Sequence, residues 1–299
     1  MSKIVSGVYA AVSTPRKPDG GLDEHLLQKS ITFLLEKGIR GFAINGATGE
    51  YCVTSNDELK RILALSRQVI RGSAGFVVGI GSAGIGACLE KGKLAIDSGA
   101  TGVLLPMPHF FPYAQDDLAA FCLEVAAKLP IPILLYNLPQ FTSGLDSITV
   151  QELITQCPNI VGIKDSSGSL QTLRDLTQNN IESCRIVGND SALSDSLREQ
   201  VSDGVISGVA GVFPELILSI YRLKNETDSA EFQKKDRLLA EFIKQINVFP
   251  TPWGLKIIAR CRGIAPASFS QPLSPRRLKQ SQELVNWFHQ WPYFNELIR

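Results

Sequence analysis

Residues 160–168 read IVGIKDSSG. An apolar run, Ile160-Val161-Gly162-Ile163, delivers a lysine, and the chain then breaks into Asp165, Ser166, Ser167 and Gly168. A lysine is rarely buried without a partner, so Lys164 marks the point where a core strand meets a polar loop. Similar runs recur on both sides of it. VYAAVST (8–14), GFAING (41–46), GFVVGIG (75–81), GVLLPMP (102–108) and PILLYN (132–137) precede it; CRIVGND (184–190) and GVISGVA (204–210) follow. Most are apolar without alternation, which suits parallel strands covered on both faces.

Helical patterns lie between them. Leu26, Leu27, Ile31, Leu34 and Leu35 recur at helical spacing, with Gly38 as a stop. Ser55 or Asn56 opens the next such stretch and Gly72 ends it. Uninterrupted strand–helix alternation predicts an α/β chain, a closed (β/α)8 TIM barrel over residues 1–227. An open doubly wound sheet is the alternative. After residue 212 the strand pattern stops. SAEFQKKDRLLAEFIKQI, PWGLKIIARCRG and SPRRLKQSQELVNWFHQW read as helices, a C-terminal helical region over 228–299 packed on the barrel.

Composition narrows the function. A net charge of +1 gives no field that favours nucleic acid or an anionic membrane surface. No apolar run approaches the roughly 18 residues of a membrane span, and the N-terminus lacks a signal-peptide core. Cys52, Cys88, Cys122, Cys157, Cys184 and Cys261 are dispersed with no C-x-x-C pair, as expected of reduced structural thiols in a cytoplasmic protein. His25, His109 and His289 are too scattered in sequence to suggest a metal site.

Gly79-Ile80-Gly81-Ser82-Ala83-Gly84 has the spacing of a dinucleotide-binding turn. That motif wants an acidic residue at the end of the next strand. Asp97 has about the right separation but precedes the strand, so a tight glycine turn at a barrel mouth is the better reading.

In such barrels chemistry gathers where strands end. Those points carry Ser13-Thr14, Asn45 to Glu50, His109, Tyr136-Asn137, Lys164 to Ser167, Gly188-Asn189-Asp190 and Ser207-Gly208. Lys164 is the lysine among them. Desolvation lowers an ammonium's pKa, and a neutral amine attacks ketones to form a Schiff base. The plain alternative is a lysine paired with Asp165 or Asp190. Tyr136, one strand away, is a proton shuttle or a satisfied core phenol. NGATGE (45–50) is a carboxylate nest or an ordinary tight turn.

Taken together, GATGE (46–50), YNLP (136–139) and GIKDSSG (162–168) resemble the class I pyruvate aldolase/lyase family that includes dihydrodipicolinate synthase and N-acetylneuraminate lyase. The resemblance spans nearly the whole chain. It implies that Lys164 captures the keto carbon of pyruvate, Tyr136 moves protons, Thr48 with the adjacent Ala47 N–H clamps the carboxylate, and Ile206 packs near the methyl group. It implies no metal or organic cofactor, a small 2-oxo acid and an aldehyde as partners, and a tetramer. Gln140, Phe141, Asn189 and Ser207 fall where aldehyde specificity is set. Three places depart from the family pattern. Ala47 replaces a frequent hydroxyl residue and His109-Phe110 a tyrosine pair, which breaks a proton relay. Phe141 stands where dihydrodipicolinate synthases carry an arginine. The expected activity is therefore cleavage or formation of a 2-oxo acid such as a 2-keto-3-deoxy sugar acid. The alternatives are dihydrodipicolinate synthesis, a dehydratase, or a keto-acid-binding protein without turnover.

Overall fold

The computed structural model describes residues 4–294 and Glu296; the outermost ends of the two expected regions, 1–3 and 297–299, lie outside it. Among the described residues, eight parallel strands close into one barrel in chain order. They are β1 (Gly7–Ala11), β2 (Gly41–Ile44), β3 (Gly75–Gly79), β4 (Gly102–Pro106), β5 (Ile133–Asn137), β6 (Ile160–Asp165), β7 (Cys184–Val187) and β8 (Gly204–Ser207). Pairing of β1 with β8, in the register Tyr9 to Ile206, closes the ring and removes the doubly wound alternative. Most strands are shorter than their apolar runs because the mouth loops begin early: Asn45, directly after β2, already has φ 56°.

A helix follows each strand: α1 (Glu24–Glu36), α2 (Asn56–Ile70), α3 (Ile85–Asp97), α4 (Gln115–Lys128), α5 (Ser147–Gln156), α6 (Gln171–Gln178), α7 (Leu193–Arg198) and α8 (Pro214–Arg222). Local chemistry sets their ends. Asp23, Ser55 and Asp146 each accept an N–H of the first turn, and Gly38 stops α1 at φ 92°. Asp97 is the last residue of α3, ahead of β4, so it cannot serve a nucleotide at a strand end.

Two apolar layers explain the continuous runs. Inside the barrel sit Tyr9, Ala11, Ala43, Val77, Leu104, Leu134, Tyr136, Ile186 and Ile206. Outside it, alternate residues of the same strands pack under the helices. The strand β6 breaks this alternation once. Ile133 of β5 faces Ile160, but the next residue, Leu134, faces Gly162, so Val161 is an extra residue bulged out of register. Gly162 takes φ 154°, and a Cβ there would lie 2.1 Å from the Cys184 carbonyl oxygen. Glycine is required at this approach.

After α8 come α9 (Ala230–Ile246), α10 (Trp253–Cys261) and α11 (Pro275–Gln290). They share the barrel's outer core. Phe213, at the start of α8, stacks at 5.6 Å on Phe242 of α9 and at 5.9 Å on Trp291 just after α11. Phe213 is fully buried, and Phe→Ala changes in cores cost about 3–5 kcal/mol. Phe213→Ala is expected to lose that much stability in denaturant titration, more than any exposed substitution on α11 such as Leu278→Ala.

Candidate active site

Register decides which way Lys164 points. It pairs with Tyr136 of β5 on one side and Ile186 of β7 on the other, and both neighbours face the barrel interior. The side chain is 4% exposed. Its Nζ lies 3.8 Å from the centroid of the Tyr136 ring. Among the described residues no carboxylate reaches it as an ion pair. Burial therefore dominates and lowers its pKa to about 7, with the charge of Asp190 pulling in the opposite direction.

The two carboxylates that could have neutralised it are held by other groups. Asp165 accepts the Ser167 N–H at 2.7 Å and the Asn137 amide at 3.2 Å. Asn137, the partner of Tyr136 in the YN pair, thus keeps Asp165 turned away. Asp190 accepts the Val209 N–H at 3.1 Å and is supported by the Ser207 hydroxyl and the Gly208 N–H. Burial still raises its pKa, and its Oδ1 has no partner.

Tyr136 is also buried, which pushes its phenol pKa upward; the nearby Ser166 hydroxyl and Ala47 N–H pull it back only in part. Ser166 Oγ has no partner at full hydrogen-bonding geometry, so its hydroxyl remains available beside the phenol. Gly188, directly after β7, makes room for this group. A Cβ there would lie 2.1 Å from Ser166 Oγ and 2.7 Å from Lys164 Cε. The sequence places Gly188 at a strand end without giving it a role; a glycine there is the signal for a close approach.

The 45–50 turn is folded by its own bonds. The Asn45 amide donates to the Gly79 carbonyl at 2.8 Å, the Thr14 hydroxyl to the Gly49 carbonyl at 2.8 Å, and the Glu50 N–H to the Ala47 carbonyl at 3.0 Å. No described group accepts the Thr48 N–H. The turn faces the end of β8: a Cβ on Gly208 would sit 3.5 Å from Thr48 Oγ1 and 3.7 Å from Asp190 Oδ2.

These groups line one cavity of about 300 Å³ at the C-terminal end of the barrel. Of the residues singled out in the sequence, Ala47, Thr48, Tyr136, Gln140, Phe141, Lys164, Asn189 and Ile206 line it. Ser207 does not. Ile206 faces inward, so alternation turns Ser207 outward, where its Oγ accepts the Ala210 N–H and it supports Asp190. Its expected contact with substrate is corrected to a role behind the wall. His109 also lies apart, in an adjoining cavity with Tyr51 and Trp253. The last wall comes from the C-terminal helices through Ile243, Asn247, Phe249 and Leu255. Nothing in their local pattern marked them, because only the packing of α9 and α10 brings them to the mouth.

Fold and chemistry define the class: a lyase of the class I, pyruvate-dependent type. The comparisons with known proteins agree. The model of the dihydrodipicolinate synthetase family matches residues 4–290, and the chain belongs to that family. It is similar to the 4-hydroxy-tetrahydrodipicolinate synthase of Sorangium cellulosum, at 29% identity over 283 residues and 94% of each chain. The corresponding synthase of Methanococcus aeolicus is 30% identical over 273 residues, 90% of this chain and 93% of its own. A crystal structure of a dihydrodipicolinate synthase superposes with a TM-score of 0.86 at 26% identity, covering 94% of this chain and 98% of the other. The Ruminococcus gnavus sialic acid aldolase shares the fold, with a TM-score of 0.85 at 21% identity over 95% and 97% of the two chains.

The position of Lys164 sets a pH dependence. Only the neutral amine attacks a ketone, so borohydride trapping with pyruvate is expected to rise through an apparent pKa near 7 and level off above it. Asp190 holds that pKa up. Asp190→Asn should therefore move the rise to lower pH, as read from trapping rates across a pH series.

Proposed function

We propose that this protein is a Schiff-base lyase that joins pyruvate to an aldehyde lacking a second carboxylate, or splits the product, with 2-keto-3-deoxy sugar acids as the substrate type. One observation carries the reading: among the described residues, Lys164 is the sole cation lining the cavity. It is committed to the ketone. A second carboxylate would find Phe141 where it needs a guanidinium. Asn189, Ser191 and Asn247 on the same wall suit hydroxyl groups.

The chemistry follows from the positions. Neutral Lys164 attacks C2 of the 2-oxo acid, and loss of water gives an iminium. The Thr48 N–H and hydroxyl, beside the Ala47 N–H, hold the carboxylate, and Ile206 lies against the methyl group. The Tyr136 phenol gives its proton to the departing hydroxide, and the phenolate so formed takes a C3 proton to give an enamine, whose C3 forms a bond to the aldehyde carbon. Tyr136 returns the proton to the new alkoxide, and water releases the product from the lysine. Cleavage runs the same steps backwards, with Tyr136 taking the C4 hydroxyl proton. The iminium is itself the electron sink, so the reaction requires neither a metal nor an organic cofactor. Ser166, beside the phenol, stands in for the relay hydroxyl absent at Ala47. The exposed Phe110–Phe111 pair, 85% and 60% accessible, supports association with a second copy of the chain in a homo-oligomer such as a tetramer. Six free cysteines suit a reducing, cytoplasmic setting.

The names of the similar synthases favour a second reading, condensation with aspartate semialdehyde. An aldehyde panel at fixed pyruvate separates the two. A charge-assisted hydrogen bond contributes roughly 1.5–3 kcal/mol, so its absence costs about 10- to 200-fold in kcat/KM. Glyceraldehyde is expected to exceed aspartate semialdehyde by at least about tenfold, and Phe141→Arg to narrow that gap. A large preference for aspartate semialdehyde in the unaltered protein would establish the synthase instead. Pyruvate and borohydride should label Lys164, found by peptide mass spectrometry; failure to label it, or an absence of turnover with every aldehyde, removes the lyase reading.

Tyr136→Phe keeps the ring against Lys164 and removes the proton donor. Turnover should fall about 10²–10⁴-fold while borohydride labelling by pyruvate persists. Unchanged turnover would remove Tyr136 from the proton path.

A further inference from the structure

Glu50 ends the GATGE turn and has no contact with the catalytic cavity, yet it is 6% exposed and carries a charge. Its Oε2 meets Nζ of Lys256, on α10, at 2.5 Å, and Lys256 is 3% exposed. The pair joins residues 206 positions apart. Burial lowers the Lys256 pKa and Glu50 counters it; Arg16, the other cation acting on Lys256, is itself bound by both oxygens of Glu58 at 2.8 and 3.1 Å. Two buried ions at this separation are costly to desolvate and poor at stabilising a fold for their own sake. Their geometry bears on something else. Glu50 holds φ 59°, a conformation that a glutamate keeps only where its surroundings impose it. Its N–H closes the turn on the Ala47 carbonyl, so any shift of Glu50 moves Ala47 and Thr48 with it. The other end of the pair, α10, carries Leu255 of the cavity wall.

We infer that Lys256 and Glu50 are positioning residues for the oxo-acid carboxylate: their buried ion pair fixes the 46–50 turn so that Thr48 and the Ala47 N–H meet that carboxylate. This rests on the lyase reading above. The pair touches no reacting atom. Its effect falls on pyruvate and leaves the aldehyde aside.

The test uses the full-length chain. For Lys256→Met, and for the doubly neutral Lys256→Met/Glu50→Gln, the pyruvate concentration giving half-maximal borohydride labelling of Lys164 is measured, with KM for each substrate and kcat. Both variants are expected to need at least tenfold more pyruvate, with the aldehyde KM moving less than threefold and kcat at saturating pyruvate falling less than KM rises. Lys256→Arg, which keeps the charge, should recover most of the loss. In a Thr48→Val background, Lys256→Met should add less than threefold, because the group that it positions is already altered. The inference is overturned if the double variant binds pyruvate like the unaltered protein, if the two KM values rise together, or if both variants lose their circular dichroism, which would make the pair a folding element alone. Failure of the unaltered protein to label would be a different result, the loss of the lyase reading itself.

Discussion

An ammonium buried without a counter-ion is the constraint on which this site depends. Relative to water, the environment of Lys164 disfavours its charged form by about 5 kcal/mol, as follows from a pKa lowered from 10.5 to about 7. That imbalance persists only because nearby carboxylates are kept out of reach. Asn137 and the Ser167 N–H occupy Asp165, and the amides at the end of β8 occupy Asp190. A direct ion pair would restore the ammonium and suppress the nucleophile. No negative charge at all would let the pKa fall further, toward an amine too weakly basic to help expel water from the carbinolamine. Asp190, near enough to be felt but outside ion-pair distance, sets the balance.

The barrel supplies the rigidity that such a balance needs. Lys164 and Tyr136 stand on adjacent strands locked by a shared register, not on loops, so their 3.8 Å approach is a property of the sheet. The C-terminal helices act as a lateral brace. They bury aromatic rings against the start of α8, and their connecting segments supply one side of the cavity. Core and site are consequently one mechanical unit.

Much of this was legible in the residues. Continuous apolar runs announced strands covered on both faces, and the one lysine at a strand end marked the cavity. Ser55 marked a helix start and Gly38 a helix stop because capping is local chemistry. Contacts made across long sequence separations were not legible. Leu255 and Asn247 reach the cavity only through the packing of α9 and α10, and Lys256 looks like an ordinary helical lysine until Glu50 appears beside it. Ser207 misled for a simpler reason: a polar residue at a strand end suggests the mouth, whereas the parity of β8 turns it outward. Gly188 stood at a strand end in the sequence, but the side chains that need its space, Ser166 and Lys164, are known only once the strands are side by side.

The bulge at Val161 has a consequence for how this chain can change. Strand parity before and after the bulge differs by one residue, so Ile160 and Ile163 both serve the outer core while Lys164 faces the interior. Deleting a single residue there would straighten β6 and put the hydrogen-bonding ladder and the side-chain alternation in conflict. Either the outer core keeps its isoleucines and the ladder to β5 is lost, or the ladder survives and the lysine is exchanged for a neighbour. The short interval from Ile160 to Lys164 is fixed in count, and within it Gly162 and Lys164 are fixed in kind as well.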